Sequence, residues 1–423
     1  MLASLVPFCL VVAILLHKWR RWKAQGWVKQ QRDIARFRFA ANPDLPTRLH
    51  LRASENRRLK AAFGIDNSLT TETPENHEAF LKMAIHVLNR GTRSWEELYN
   101  IAESFLQGEF YLATQDRQSI IPLAESVRCM VLAVVLFDSF GVDPEAVERS
   151  DLVTITEEIN NQWLKSKCDP DAVAPSDLLN STIASLNLAS PTMRTMTPVE
   201  ALGLLMPQYE TLWRVVLLTF VTAYHHQPAA YPDTVERAAS VPSCLGDPSR
   251  EAEALKLAQE GLRLYPSNKH LYRAAAVGPQ SPTLAADISA LHRHPAIWNP
   301  PPSPPTTHST PALTTVTPSN PPDTTCNALT FHPPRFTTLT PLQRRAYIPF
   351  SLGWHKCPAA SNKFGERMVV VLVVALGRML GPERGRVLFG EDNEHDNDRG
   401  GGGGGGGGGW GGRGGGRAED GAG

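Results

Sequence analysis

Residues 200–226, "EALGLLMPQYETLWRVVLLTFVTAYHH", constrain the fold more than any other stretch of this chain. The polar residues do not gather on one face, and a helix that is apolar nearly all round must be enclosed on every side. It therefore reads as a helix through the middle of a large domain. "HEAFLKMAIHVLNR", "WEELYNIAESFL", "IPLAESVRCMVLAVVLFDSFG" and "LVTITEEINNQWLKSK" carry helical periodicity and supply the neighbours. With 423 residues, 42% of them apolar, the chain can bury one large helical domain or two ordinary ones, and the expected class is mainly α. Lys plus Arg (42) equals Asp plus Glu (42), which argues against a polyanion-binding protein. Cys9, Cys129, Cys168, Cys244, Cys326 and Cys357 are scattered singly, as in a reducing compartment rather than a disulfide framework.

A second stretch carries the chemistry. In "YIPFSLGWHKCPAASNKFGERMVVVLVVALGRML", residues 347–380, Cys357 stands directly before Pro358 and a long apolar run that Gly381 and Pro382 end. Proline suits the first helical position, so a helix is expected from Pro358 with Cys357 as its cap. The N–H groups of Ala359 and Ala360 and the helix dipole would then favour the thiolate. A nucleophile would need a base and an orienting group, and His355 is only two residues away in a turn. Zinc would need further Cys or His at short spacing. A single thiolate fits haem iron better, since the porphyrin supplies the other in-plane ligands.

The spacing Phe350-x-x-Gly353-x-His355-x-Cys357-x-Ala359 closely resembles the cysteine loop of the cytochrome P-450 family of haem-thiolate monooxygenases. Three more segments are similar to that family in the same order: "EALKLAQEGLRLYP" with Glu260 and Arg263 three apart, "ISALHRHPAIWN", and "FHPPRF" with Arg335. The resemblance implies a mainly α, cytochrome P-450-like helical domain with a small β component, of microsomal, eukaryotic, fungal type. It implies haem b (iron protoporphyrin IX) with Cys357 as axial iron ligand, His355 on a haem propionate as a charge-assisted donor, and Phe350 packed near the sulfur. Glu260, Arg263 and Arg335 would form a buried structural cluster behind the haem. On the central helix Glu210 and Thr211 take the places of the family's acid and threonine, which relay protons, while Pro207 and Gln208 stand where the family has small residues. The implied activity inserts one atom of O2 into a small apolar substrate, with NADPH electrons arriving through a flavoprotein reductase. Lys356, Lys363, Arg344 and Arg345 could face that reductase. Two other readings suit the departures: a haem-thiolate isomerase or dehydratase that does not use O2, and a non-catalytic remnant.

The first sixteen residues are uncharged and mostly apolar, and Lys18, Arg20, Arg21 and Lys23 follow with Trp19 and Trp22 among them. Residues 1–23 are expected to be a single-pass signal anchor in the endoplasmic reticulum membrane with the catalytic body cytosolic. Residues 24–60 read as a basic connector and 61–381 as the catalytic domain. A disordered insertion rich in Pro and Thr is expected over 299–328, with nine prolines between 300 and 323. A Gly-rich disordered tail follows over 382–423, with ten consecutive glycines from Gly400. No nucleic acid is expected as partner. The family's N-terminal sheet, an early Trp-x-x-x-Arg that touches a propionate, and the final β-rich segment find no match, so the resemblance covers about 60–381 and the chain reads as incomplete at both ends.

Overall fold

The computed structural model describes residues 2–38, 43–89, 94–115, 120–169, 173–189, 195–226, 245, 247–274, 283–299 and 327–388. Most of the expected insertion (300–326) and most of the tail (389–423) lie outside the described residues. The described chain is mainly α with one small sheet, as expected. Its helices are α1 (Leu2–Ala35), α2 (Leu45–Glu55), α3 (Arg57–Phe63), α4 (Pro74–Leu88), α5 (Trp95–Gln115), α6 (Leu123–Phe140), α7 (Arg149–Cys168) and α8 (Asp177–Ser185). They continue with α9 (Pro198–Phe220), α10 (Pro248–Leu264), α11 (Ile288–Arg293), α12 (Pro295–Trp298), α13 (Pro341–Ala346) and α14 (Phe364–Leu380). Strands β1 (His270–Ala274) and β2 (Thr283–Asp287) pair antiparallel, with His270 opposite Asp287 and Ala274 opposite Thr283.

The central helix is α9, and α6, α8, α10 and α14 pack around it. A capping box opens it: Thr197 accepts from Glu200 N–H, and the Glu200 carboxylate accepts from Thr197 N–H. It continues as a π-helical turn over Val221–His226. There the Tyr224 ring lies so close to Gly377 of α14 that a Cβ would collide with it, so this pair of helices can meet only at a glycine. Met368–Leu376 of α14 is buried throughout, which accounts for its unbroken apolar run.

Pro207 sits inside α9 without ending it. Proline has no N–H to give the carbonyl four residues back, that of Gly203. The buried side chain of Asn67 supplies the missing donor, Nδ2 to Gly203 O at 2.9 Å. The Asn67 Oδ1 in turn accepts from Leu69 N–H, and Thr70 Oγ1 accepts from Asn67 N–H, so the plug is itself fixed.

Residues 24–60 are not a connector. The C-terminal half of α1 buries Ala24, Val28, Ile34 and Ala35 in a second core with Ile288, Leu291, Trp298 and Ile348. Two further helices, α2 and α3, follow at once, and both contribute to the cavity described below. The expectation of a membrane span is not met either: among the described residues no helix is long and apolar enough to cross a membrane. Sixteen residues rise only about 24 Å, and α1 carries straight on through the basic cluster.

Candidate cofactor site

Cys357 is held by a closed loop. Its N–H donates to Phe350 O at 2.9 Å, and Gly353 between them sits at φ 70°, in the region that favours glycine, with the Arg36 side chain packed where a Cβ would begin. Phe350 in turn lies on Gly365 of α14, where an added Cβ would come within 2.8 Å of the ring. Phe350, Gly365, Cys357 and Ala359 thus form one wall of a large cavity.

The helix expected from Pro358 starts later. Cys357 caps a short 3-10 segment, Pro358–Lys363, which Asn362 (φ 50°) and Lys363 (φ 56°) break in the left-handed region before α14 begins at Phe364. The sulfur therefore does not sit on the end of the long helix. Burial pushes the Cys357 thiol up, while the Ala359 backbone N–H and the Arg52 charge draw it down, so the sequence-based preference for the thiolate is not met by the protein alone.

Across the same cavity lies a group of cations that sequence reading missed. Arg48 and Arg52 come from α2, His77 from α4, Arg273 from β1, and His355 from the cysteine loop. Arg52 Nη1 lies 2.8 Å from His355 Nδ1. A guanidinium can only donate, so Nδ1 accepts and the proton of the neutral ring is on Nε2. Burial and the charges of Arg52, Arg273, His77 and Arg48 push His355 down to about 2. It is a neutral donor here, not the charged one expected. Burial and mutual repulsion lower Arg52 to about 9, and burial lowers Arg273 to about 10. His355 Nε2, His77 Nδ1, Arg48 Nε and Arg273 Nε are buried without a hydrogen-bond partner. Glu55, bonded to Thr283 Oγ1, tempers Arg273 alone. Such an array is costly unless an anion meets it.

The expected structural cluster is brought together. Glu260 and Arg263 are fully buried one above the other on α10, with Nε to Oε2 at 2.6 Å and Nη2 to Oε1 at 2.7 Å. Arg335 reaches the same carboxylate with Nε 3.4 Å from Oε1, and the N–H of His332 donates to it at 2.8 Å. Arg263 also holds the carbonyls of His292 and Ala328, and the ring of His292 receives the Ile348 N–H at the root of the cysteine loop.

Glu210 and Thr211 both line the cavity, but neither side chain is free. Thr211 Oγ1 donates back to Pro207 O at 3.1 Å. The buried Glu210 carboxylate pairs with Arg214 one turn on and accepts from Trp213 Nε1 at 3.2 Å; burial raises its pKa. Trp95, the early tryptophan, meets Phe364 rather than the cations, and Arg378 Nη1 donates to the Tyr99 hydroxyl, so this helix gives nothing to the cluster. The one sequence signal for Arg48 and Arg52 was their four-residue spacing in "TRLHLRAS", which places both on one helical face.

No protein-family model and no curated protein matches the chain. Among solved structures it is similar to a cytochrome P450 from Thermus thermophilus, at 19% identity over 78% of this chain and 79% of that one, with a TM-score of 0.46. It is also similar to a variant of cytochrome P450 OleT in complex with arachidonic acid (15% identity, 78% and 76% covered, TM-score 0.43) and to a cytochrome P450 designated CYP102L1 (14%, 78% and 77%, 0.45).

Proposed function

We propose that this chain is a haem-thiolate monooxygenase of the cytochrome P-450 kind. One observation carries the reading: a single cavity has a loop-held cysteine on one wall and, beside it, a buried cation cluster with orphaned N–H groups. Haem fits both, because its iron takes one thiolate and its two propionates are the anions such a cluster lacks. Bound there, haem would supply the iron chemistry that transfers one oxygen atom of O2 to an apolar substrate and reduces the other to water.

The remaining work falls to residues of the chain. Arg52, Arg273, Arg48 and His77 would hold the propionates, and His355 would add its Nε2–H as a neutral donor oriented by Arg52. Cys357 would ligate iron as thiolate, a form that the metal's charge and the Ala359 N–H favour over the burial that opposes it. Phe350 on Gly365 shields the sulfur from water. Glu210, with its raised pKa, and Thr211 would hand protons toward the oxygen site. Electrons would come from NADPH through a flavoprotein reductase docking near the exposed Lys356, Lys363, Arg344 and Arg345. A second reading, a haem-thiolate isomerase or dehydratase, draws on the Asn67 plug that fills the notch in α9; reductase-dependent O2 consumption separates the two.

The exposed Leu15, Leu16, Trp19 and Trp22 of α1, with basic neighbours between them, suit seating in the headgroup region of the cytosolic face of the endoplasmic reticulum rather than a span. Alkaline carbonate should then release the protein from membranes; resistance to it would contradict surface seating.

The decisive test is the spectrum of reduced protein under carbon monoxide. Wild type should show the far-red-shifted Soret band of thiolate ligation and Cys357→Ala should lack it, and a mutant that keeps the band overturns the assignment.

A further inference from the structure

The cavity has a second cationic feature, separate from the cluster around His355. Arg58 of α3 lines it and stacks on Trp163 of α7, with its guanidinium carbon 4.7 Å from the ring centroid. Lys167, four residues along α7, places Nζ 6.0 Å from the same ring, and Arg214 of α9 comes within 5.9 Å. Three cations from three helices thus converge on one indole. Glu210 is the carboxylate that acts on them, and it is already engaged by Arg214 and by Trp213 Nε1.

Arg58 spends one N–H on a protein acceptor, Nη1 to Ser166 Oγ at 2.9 Å. A guanidinium has five such donors, and no carboxylate lies within ion-pair distance of Arg58 among the described residues. Part of its fork therefore faces the cavity without a carboxylate. The cations also repel one another, so nothing in the free protein rewards bringing three of them to one ring. Leu59, Leu69, Leu81, Leu204 and Val215 line the cavity beyond this edge and offer only hydrocarbon.

We infer that the cavity's ligand is an amphiphile with one carboxylate and a long apolar chain, its head group held by Arg58 at the Trp163 edge and its chain lying on the leucine-rich wall. This rests on the proposed function only for the ligand being a substrate. A planar carboxylate matches the free edge of the Arg58 fork in two parallel hydrogen bonds, while Lys167 and Arg214 add charge without adding shape. An alcohol of the same chain would keep the hydrocarbon contacts and lose the charge.

The test uses full-length, haem-loaded protein and calorimetric titration with dodecanoate and dodecanol below their aggregation limits. Dodecanoate should bind about tenfold more tightly or better, a preference of the size a charge-assisted pair supplies. Arg58→Gln should remove that preference and leave dodecanol binding unchanged; Arg58→Lys should keep part of it, and Arg57→Gln, at the exposed neighbouring position, all of it. Equal affinity for acid and alcohol in the wild type overturns the inference, as does an unchanged preference in Arg58→Gln. The carbon monoxide spectrum of the same preparation reports on the thiolate separately. Protein with the thiolate band but no acid preference refutes the head-group site alone; acid preference without the band refutes the haem reading alone.

Discussion

Arg263→Met should be the most damaging single change in the chain. Five N–H groups of this fully buried guanidinium are all used: two on Glu260 (2.6 and 2.7 Å), two on the carbonyls of His292 (2.7 Å) and Ala328 (2.6 Å), and one on Thr330 O (3.3 Å). Breaking a buried pair from one side costs about 3–5 kcal/mol. Glu260 keeps the His332 N–H and the longer Arg335 contact, and Thr330 O keeps Arg335 Nη2 at 3.2 Å, which offsets part of the loss. The carbonyls of His292 and Ala328 lose a buried donor, at roughly 1–3 kcal/mol each. The sum, about 5–11 kcal/mol, is comparable with the whole stability of a typical domain, roughly 5–15 kcal/mol. Arg263→Met should therefore fail to accumulate as folded protein, whereas Arg335→Met, whose outer bonds to Asn327 and Thr330 water can replace, should fold with a lowered melting midpoint. Adding Glu260→Gln should recover only the ion-pair part, because the two carbonyls stay unpaired. Melting followed by far-ultraviolet circular dichroism decides it. An Arg263→Met protein whose midpoint lies within about 4 °C of wild type, equivalent to ~1 kcal/mol, would refute the reasoning.

Acid should destabilise the haem-free protein well before its carboxylates titrate. Burial and Arg263 hold His292 down to about 3, and burial and the surrounding cations hold His355 down to about 2. In the unfolded chain both take up protons near pH 6.5, roughly, so the unfolded state binds more protons below that point. Their contribution is fully present above it and falls as pH drops, by up to ~1.4 kcal/mol per pH unit for each histidine. The midpoint at pH 5 should lie below that at pH 7.5, and His292→Gln should flatten the difference; a midpoint indifferent to pH over this range contradicts it. Asn67→Leu should cost about 1–3 kcal/mol by orphaning the Gly203 carbonyl. Pro207→Ala in that background should restore stability by returning a helical N–H, and an Asn67→Leu protein that Pro207→Ala does not rescue would show that the plug is not what Asn67 provides.

Several features were legible in the sequence because they depend on neighbours along the chain. The all-round apolar run at 200–226 required an enclosed helix, and α9 with its π turn covers that range closely. Glu260 and Arg263 are three apart on a helix and had to share a face. The spacing from Phe350 to Cys357 closed into a loop because one backbone hydrogen bond spans it. What tertiary structure alone decided depends on distance in space. Arg48, Arg52, His77, Arg273 and His355 come from four separate stretches, and only packing turns scattered, individually ordinary cations into one buried group whose pKa values fall together. Burial likewise reversed the expected bias of Cys357 toward thiolate, since desolvation is set by the surroundings and not by the residues next in line. Pro207 looked like a disturbance to the central helix until Asn67, 140 residues earlier in the chain (207 − 67), supplied the one donor that proline lacks.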